Sequence, residues 1–334
     1  MDEFLVALAS ELRAPGVAVC TSTADGNMSH AAYGLADVEN NVAVELTSVF
    51  KLASVTKQFT AFAIARLIEK GFLELDSEVG ELLQLPQKID KRITIRHLLN
   101  HTSGIPGYTE LPELFSQFEC VEASHDQMLS VFSEAPLLFN PGEGHEYSNS
   151  GYYLLGLVIE RLSGDSFEDF LKSEFFTPLG MLNTCYANDR KIIRNRVKGY
   201  DSQNGNTVGT GLLNCEYISM NPPFSAGAIC STIRDMHLWC EAILNNKVIS
   251  AEMFKEMCKK TILASGEVVD YGFGFRIYEK NGIKSVGHEG ALPGFMNMLM
   301  LYPEQGIGIT VLTYSTSSDP WLLEEKIAER IVAA

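Results

Sequence analysis

The pattern of apolar and polar positions divides the chain into three regions. Near the start, "GVAVCTS" and "MSHAAYGLADV" are short β-type runs joined by the turn-rich "TADGN", which predicts a pair of strands. At the far end, "YGFGFRIY", "IKSVGHEG", "FMNMLMLYPEQ" and "GIGITVLTYS" predict a meander of strands closed by the helix "PWLLEEKIAERIVAA". Between them the apolar spacing predicts helices over 54–71, 94–101, 125–133, 148–162, 166–173, 232–245 and 250–259. The N-terminal "MDEFLVALASELRAP" reads as an amphipathic surface helix. The implied fold class is α+β: an antiparallel sheet built from both chain ends, flanked by terminal helices, with a helical lobe inserted. The sheet lobe takes about residues 1–53 and 200–334 and the helical lobe about 54–199, with a cleft between them. No internal repeat, low-complexity segment or long linker interrupts this plan, so the lobes are expected to form one rigid unit.

Composition narrows the class. The chain has 334 residues, 46% of them hydrophobic, enough for a large core in two lobes. A net charge of -16 with no basic block argues against nucleic acid as a partner. No run approaches the roughly 20 apolar residues of a membrane span. The acidic start is unlike the basic opening of a signal peptide. Seven scattered cysteines without a CxxC pair suggest buried free thiols and a reducing compartment. The chain as given therefore reads as soluble and cytoplasmic, although one trimmed of an export signal would read the same way.

One stretch, "FKLASVTKQFTAFAIARLIEKG", puts Ser54 and Lys57 one turn apart at the start of an apolar helix. A lysine there is disfavoured by the positive end of the helix dipole, so it needs another reason. Residues three apart share a helix face, and a lysine partly withdrawn from water can lower its pKa enough to take a proton from serine. Alone, SxxK recurs by chance. Two further motifs follow it in order: Tyr147-Ser148-Asn149 in "EYSNSGY", and His288-Glu289-Gly290 in "VGHEGALPGF".

Together these motifs resemble the penicillin-recognising serine hydrolases, with SxxK, YxN and a third element of KTG or HxG. The tyrosine form of the second element resembles the class C β-lactamase and D,D-carboxypeptidase branch. "LLNHTSGIP", "FNPGEGHEYSNSGYYLLGLVIERLSG", "FFTPLGM", "SAGAICSTIRDMHLW" and "YGFGF" extend the likeness, in order, over nearly the whole chain. The resemblance implies a β-lactamase/transpeptidase-like fold with the active site between the lobes, and an acyl-enzyme at Ser54. It assigns proton transfer to Lys57 and Tyr147, substrate binding to Asn149, His288 and Gly290, and oxyanion donors to the backbone N–H groups of Ser54 and Ala291. A phenol is mostly protonated at neutral pH, so Tyr147 is expected to need a nearby cation, with Lys57 the candidate. No cofactor or metal is implied, and the expected partner is a small-molecule or peptide substrate.

The third element departs from the β-lactamase form, since His288 stands where lysine is usual. Histidine is a cation only when protonated, so His288 facing the substrate would favour neutral substrates at neutral pH. Efficient β-lactam hydrolysis is then not expected. Gly290 fits a strand passing close beside a substrate. Three functions stay open: a peptidase or amidase for D-amino-acid or other small peptides, a carboxylesterase with the same machinery, and an idle scaffold. Other motifs have plainer readings. Ser166 with Asp169 in "GDSF" reads as a helix cap, His97 and His101 in "HLLNH" as a helix end beside a cleft loop, and His145 as a rim residue.

Overall fold

The computed structural model describes residues 2–11, 14–86, 89–202, 211–315 and 318–332. Seven strands form the main sheet, in the spatial order Arg276–Lys280, Ile283–Leu292, Phe295–Tyr302, Ile307–Thr313, Gly16–Thr23, Met28–Asp37 and Val42–Ala43, every neighbouring pair antiparallel. The two chain ends meet at its centre, where Val19 is the register partner of Val311.

Alternation along the strands sorts side chains onto two faces. Val17, Val19, Met298, Met300 and Val311 pack on the outer face with Leu5 and Ala9 of the helix Glu3–Glu11 and Leu323 and Ile327 of the helix Pro320–Ile331. The ends of both terminal helices as predicted, at 12–13 and 333–334, lie outside the described residues. Ala18, Cys20, Leu299, Leu301 and Leu312 face inward, into a core shared with Trp239 and Cys240 of the helix Ile233–Leu244. That core continues into the helical region through Phe59, Phe62, Leu98, Phe132 and Leu154, so the two regions are joined by one apolar interior.

The helix Thr56–Glu69 runs through this interior, buried on most sides, and takes the polar Thr56, Lys57, Gln58 and Thr60 in with its apolar residues. Trp239 stacks on Phe59 with ring centroids 4.3 Å apart. A small sheet lies at the base of this helix: Ile229–Ser231 pairs with Phe50–Lys51 on one side and with Cys185–Tyr186 on the other.

The helices form close to their predicted places, including Asn149–Ser163 and Phe167–Leu171. Ser166 caps the latter, its Oγ accepting from the Asp169 N–H at 3.1 Å. Several elements differ from the sequence reading, the small sheet among them. The helix Pro112–Glu119 was not expected, although proline at its first position is a start signal. The strand foreseen over "YGFGFRIY" begins only at Arg276. Gly274 ahead of it has φ +74°, and a Cβ there would lie 2.9 Å from the Lys57 carbonyl oxygen, so this glycine turn packs directly on the helix carrying Lys57.

Candidate active site

Ser54 lies in a single 3-10 turn, Ala53–Val55, leading into the helix Thr56–Glu69. No side chain caps either element, so the Ser54 hydroxyl is not spent on its own backbone. The preceding residue, Ala53, is fully buried with φ +51°, a left-handed conformation that costs a non-glycine residue about 1–2 kcal/mol. Surrounding bonds hold it there. Leu52 N–H donates to the Ile229 carbonyl at 2.8 Å, and Asn297 Nδ2 donates to the Lys51 carbonyl at 2.8 Å. Gly290 closes the frame from the side: a Cβ on it would lie 2.1 Å from the Leu52 carbonyl oxygen. Its missing side chain therefore makes room for the backbone before the serine.

Lys57 is completely buried, and its Nζ has three neighbours: Asn149 Oδ1 at 2.7 Å, the Ala226 carbonyl at 2.8 Å and Ser54 Oγ at 3.1 Å. Burial pushes its pKa well below the usual lysine range, with Glu289 opposing and Arg276 assisting. Asn149 is fixed in turn, its Nδ2 donating to Thr109 Oγ1 at 3.1 Å. Ala226 lies in the turn Phe224–Gly227, where Phe224 has φ +42° and Thr60 Oγ1 donates to the Ser225 carbonyl at 2.6 Å.

Tyr147 is half-buried, and its hydroxyl is enclosed. Lys57 Nζ stands 4.8 Å from the ring centroid. Burial raises the phenol above its usual pKa, the neighbouring Ser54 hydroxyl pulling the other way. His101 positions the tyrosine from both sides. Its carbonyl accepts from Glu146 N–H at 3.0 Å, its Nδ1 accepts from Ser148 N–H at 3.1 Å, and its ring lies 4.5 Å from that of Tyr147. His101 is buried and has φ +61°. His97 is engaged separately, its Nδ1 accepting from Thr94 N–H in a helix cap. His145 packs near His101 and Tyr271, at 6.1 and 5.9 Å between ring centroids.

His288 lies on the strand beside Ser54, but its ring is enclosed, only 1% exposed. Nδ1–H donates to the Glu289 carbonyl at 2.5 Å, which leaves Nε2 to accept from the Tyr271 hydroxyl at 3.0 Å. Burial lowers its pKa to about 4, so the ring is neutral. The next side chain along, Glu289, forms a forked ion pair with Arg276, with Nη2 to Oε1 at 2.7 Å and Nε to Oε1 at 2.8 Å. The Arg276 guanidinium stands 5.7 Å from the Tyr147 ring centroid.

Ser54, Asn149 and Ala291 line a cavity of about 80 Å³ together with Tyr108, Phe115 and Leu292. A larger cavity of about 510 Å³ lies elsewhere, between the sheet's outer face and the C-terminal helix. Sequence reasoning missed His101, Tyr271, Asn297 and the Ala226 carbonyl. Asn297 shows as the polar break in "FMNMLMLY", while the others lie in the stretches "LLNHTSGIP", "YGFGF" and "SAGAICSTIRDMHLW", which extend the likeness without assigning them a role.

The antiparallel sheet, terminal helices and inserted helical region, with these three motifs brought to one cleft, define a β-lactamase/transpeptidase-like protein. The family model described as Beta-lactamase matches residues 1–333, and the chain belongs to that family. Penicillin-binding protein 4* of Bacillus subtilis (strain 168) is 32% identical over 287 residues, covering 82% of this chain; the match spans 62% of that relative's length. The crystal structure of a penicillin-binding protein from Bacillus halodurans superposes with a TM-score of 0.84 at 25% identity, covering 98% of this chain and 99% of that one. D-amino acid amidase from Ochrobactrum anthropi SV3 shares the fold with a TM-score of 0.86 at 22% identity, covering 100% of this chain and 99% of that one.

Proposed function

We propose that this protein is a serine hydrolase that forms an acyl-enzyme at Ser54 and cleaves small, uncharged amides or esters, with amidase or peptidase action on short peptide-like substrates as the principal reading. The observation that carries it is the bond set of Lys57. A neutral amine has two N–H donors and one lone pair. The Ala226 carbonyl and Asn149 Oδ1 can only accept, so they take both donors, and the lone pair is left for the Ser54 hydroxyl. Burial pushes the amine's pKa well below the usual lysine range, which favours the neutral form that can take that proton.

Acylation then proceeds with Ser54 Oγ attacking the substrate carbonyl as its proton passes to Lys57. The backbone N–H groups of Ser54 and Ala291 receive the oxyanion. Tyr147, protonated in the free enzyme, gives its proton to the leaving group. The resulting phenolate and lysinium lie side by side, and the pair stays neutral overall. In deacylation the phenolate takes a proton from water as the water oxygen attacks the ester, and Lys57 returns its proton to Ser54 Oγ. The cation expected to assist Tyr147 is thus created during the reaction instead of being present beforehand.

The substrate class follows from the cavity. Among its described lining residues there is no lysine, arginine, aspartate or glutamate, and Tyr108, Phe115, Ile218 and Leu292 make the wall beside Ser54 apolar. A small neutral acyl group suits such a wall, whereas a free carboxylate would meet no fixed counter-charge there.

The test is fluorophosphonate labelling with the adduct located by peptide mass, alongside turnover of p-nitrophenyl esters, aminoacyl amides and a chromogenic cephalosporin. The expected result is one adduct, on Ser54, with neutral esters and amides turned over and both activities lost in Ser54→Ala. Absence of any Ser54 adduct would support the idle-scaffold reading instead.

A further inference from the structure

In the small sheet behind the nucleophile, Cys185 and Cys230 are register partners with their Sγ atoms 3.5 Å apart. Two residues further along, Ala187 N–H donates to the Ala228 carbonyl at 2.7 Å. Because hydrogen-bonded pairs recur at every second position, the Cys185–Cys230 pair also occupies a hydrogen-bonded position, where facing Cα atoms are about 5.5 Å apart. That separation is near the middle of the range a disulfide bridges, about 4.4–6.8 Å. The remaining step is side-chain rotation together with a small approach of the two strands, since facing Cβ atoms of such a pair stand about 5.5 Å apart and a disulfide brings them to about 3.5–4.5 Å, with the sulfurs at about 2.05 Å.

We propose that Cys185 and Cys230 are a reversible disulfide-forming site, with Cys185 the attacking thiol and Cys230 the resolving one, oxidised by a low-molecular-weight disulfide such as oxidised glutathione. The two thiols are unequal. Cys185 is partly exposed, and the hydrogen bond from Cys230 holds its pKa below the usual thiol value, with Arg196 and Lys191 assisting against burial and Glu168. Cys230 is 2% exposed and its pKa is raised, first by that same bond and then by burial. Reactivity follows the thiolate and its access, so Cys185 meets the oxidant first. By contrast Cys20 and Cys240 are enclosed in the core, where burial keeps both as thiols.

The chemistry balances as two exchanges. The Cys185 thiolate attacks one sulfur of the small disulfide, breaking its S–S bond, and the released thiolate takes up the proton that Cys185 gave up. Cys230 then loses its proton, attacks the Cys185 sulfur and expels the second small thiolate, which takes that proton. Two protein thiols and one small disulfide become one protein disulfide and two small thiols.

Closure bears on the site in front of it. Cys230 is also the register partner of Lys51, and the adjoining Ile229 carbonyl holds Leu52 N–H. The same strand continues back into the turn whose Ala226 carbonyl binds Lys57. Drawing Ile229–Ser231 towards Cys185–Tyr186 therefore shifts groups that set Ser54 and Lys57.

The test treats the full chain, carrying Cys120→Ser to remove the exposed thiol, with oxidised glutathione, and reads intact mass, non-reducing peptide maps and the rate of fluorophosphonate labelling. A Cys185–Cys230 linkage is expected, reversed by dithiothreitol. Cys230→Ser should accumulate a glutathione adduct on Cys185, whereas Cys185→Ser should leave Cys230 free. Labelling should slow severalfold on oxidation and recover on reduction. No linkage, or adducts formed equally on both single variants, would overturn the site. Linkage with unchanged labelling would overturn its connection to Ser54. The mass readouts do not depend on which substrate the enzyme uses.

Discussion

His101 accepts the Ser148 backbone N–H on its ring Nδ1 at 3.1 Å, while its own carbonyl accepts from the residue before Tyr147. The loop between helices is thereby pinned on both sides of the tyrosine. Burial lowers the pKa of His101 well below its ordinary value, which favours the neutral ring with Nδ1 as an acceptor.

Replacing this ring by one of similar size but no acceptor tests its positioning role. His101→Phe strands a buried N–H, at a cost of about 1–3 kcal/mol. It should reduce acylation of Ser54 by roughly 10–100-fold, the scale on which small misplacement of a reacting group acts. Stopped-flow measurement of acyl-enzyme formation, with circular dichroism confirming the fold, checks it. Unchanged acylation would show that Tyr147 is held by other contacts.

In the proposed mechanism Lys57 and Tyr147 act on one proton inventory, so their losses should not multiply. Lys57→Ala and Tyr147→Phe should each lower acylation by about 10²–10⁴-fold, and the double variant should be little worse than either alone. Single-turnover kinetics on all three variants decides the matter. A double variant showing the full product of the two losses would mean that the residues work independently.

How much of this was visible beforehand depends on the range of each interaction. Ser54, Lys57, Tyr147 and Asn149 were legible because their spacing is local and their residue types are chemically restrictive. The sheet was legible from its strands, as was the cap at Ser166. The other parts act at long range or through the backbone. Nothing in the neighbourhood of Ala226 announces that its carbonyl meets Lys57, and Asn297 reaches Lys51 across 246 positions of sequence. Ala53 and Phe224 are left-handed without being glycine, so their residue type does not mark them. Gly274 and Gly290 were visible as glycines, but the surfaces they make room for, the Lys57 and Leu52 carbonyls, are supplied only by the folded chain.

Glu324 offers a test outside the candidate active site. It lines the larger cavity, only 3% exposed, and accepts from the Tyr302 hydroxyl at 2.7 Å. Burial raises its pKa from 4.5 to about 7. The native state therefore binds a proton that the unfolded chain has released between about pH 4.5 and 7, so this group lowers stability as pH rises through that window, and the loss persists above it. Glu324→Gln should remove that loss. Relative to wild type, the variant should gain up to about 3 kcal/mol on going from pH 4.5 to 8. Urea unfolding at both pH values measures it, and an equal difference at the two would overturn the assignment.

The last prediction concerns substrate charge. With Nδ1–H given to the Glu289 carbonyl and Nε2 accepting from Tyr271, His288 would have to break the second bond to become a cation. Its pKa of about 4, lowered chiefly by burial, leaves it neutral from about pH 5.5 upward. The enclosed ring does not meet substrate charge directly, so the expected preference for neutral substrates rests on the uncharged lining beside Ser54. For a matched pair of substrates differing only as free carboxylate and methyl ester, the ratio of kcat/KM should favour the ester and stay flat between about pH 5.5 and 8.5. His288→Lys should not reverse that preference, because the position faces Tyr271 and the new amine would stand in the same buried surroundings as Lys57. It should instead lower kcat for both substrates by disturbing Tyr271 and the rings packed on Tyr147. A ratio that rises toward acid pH, or a lysine variant that selectively gains on the carboxylate substrate, would put His288 in contact with the substrate after all.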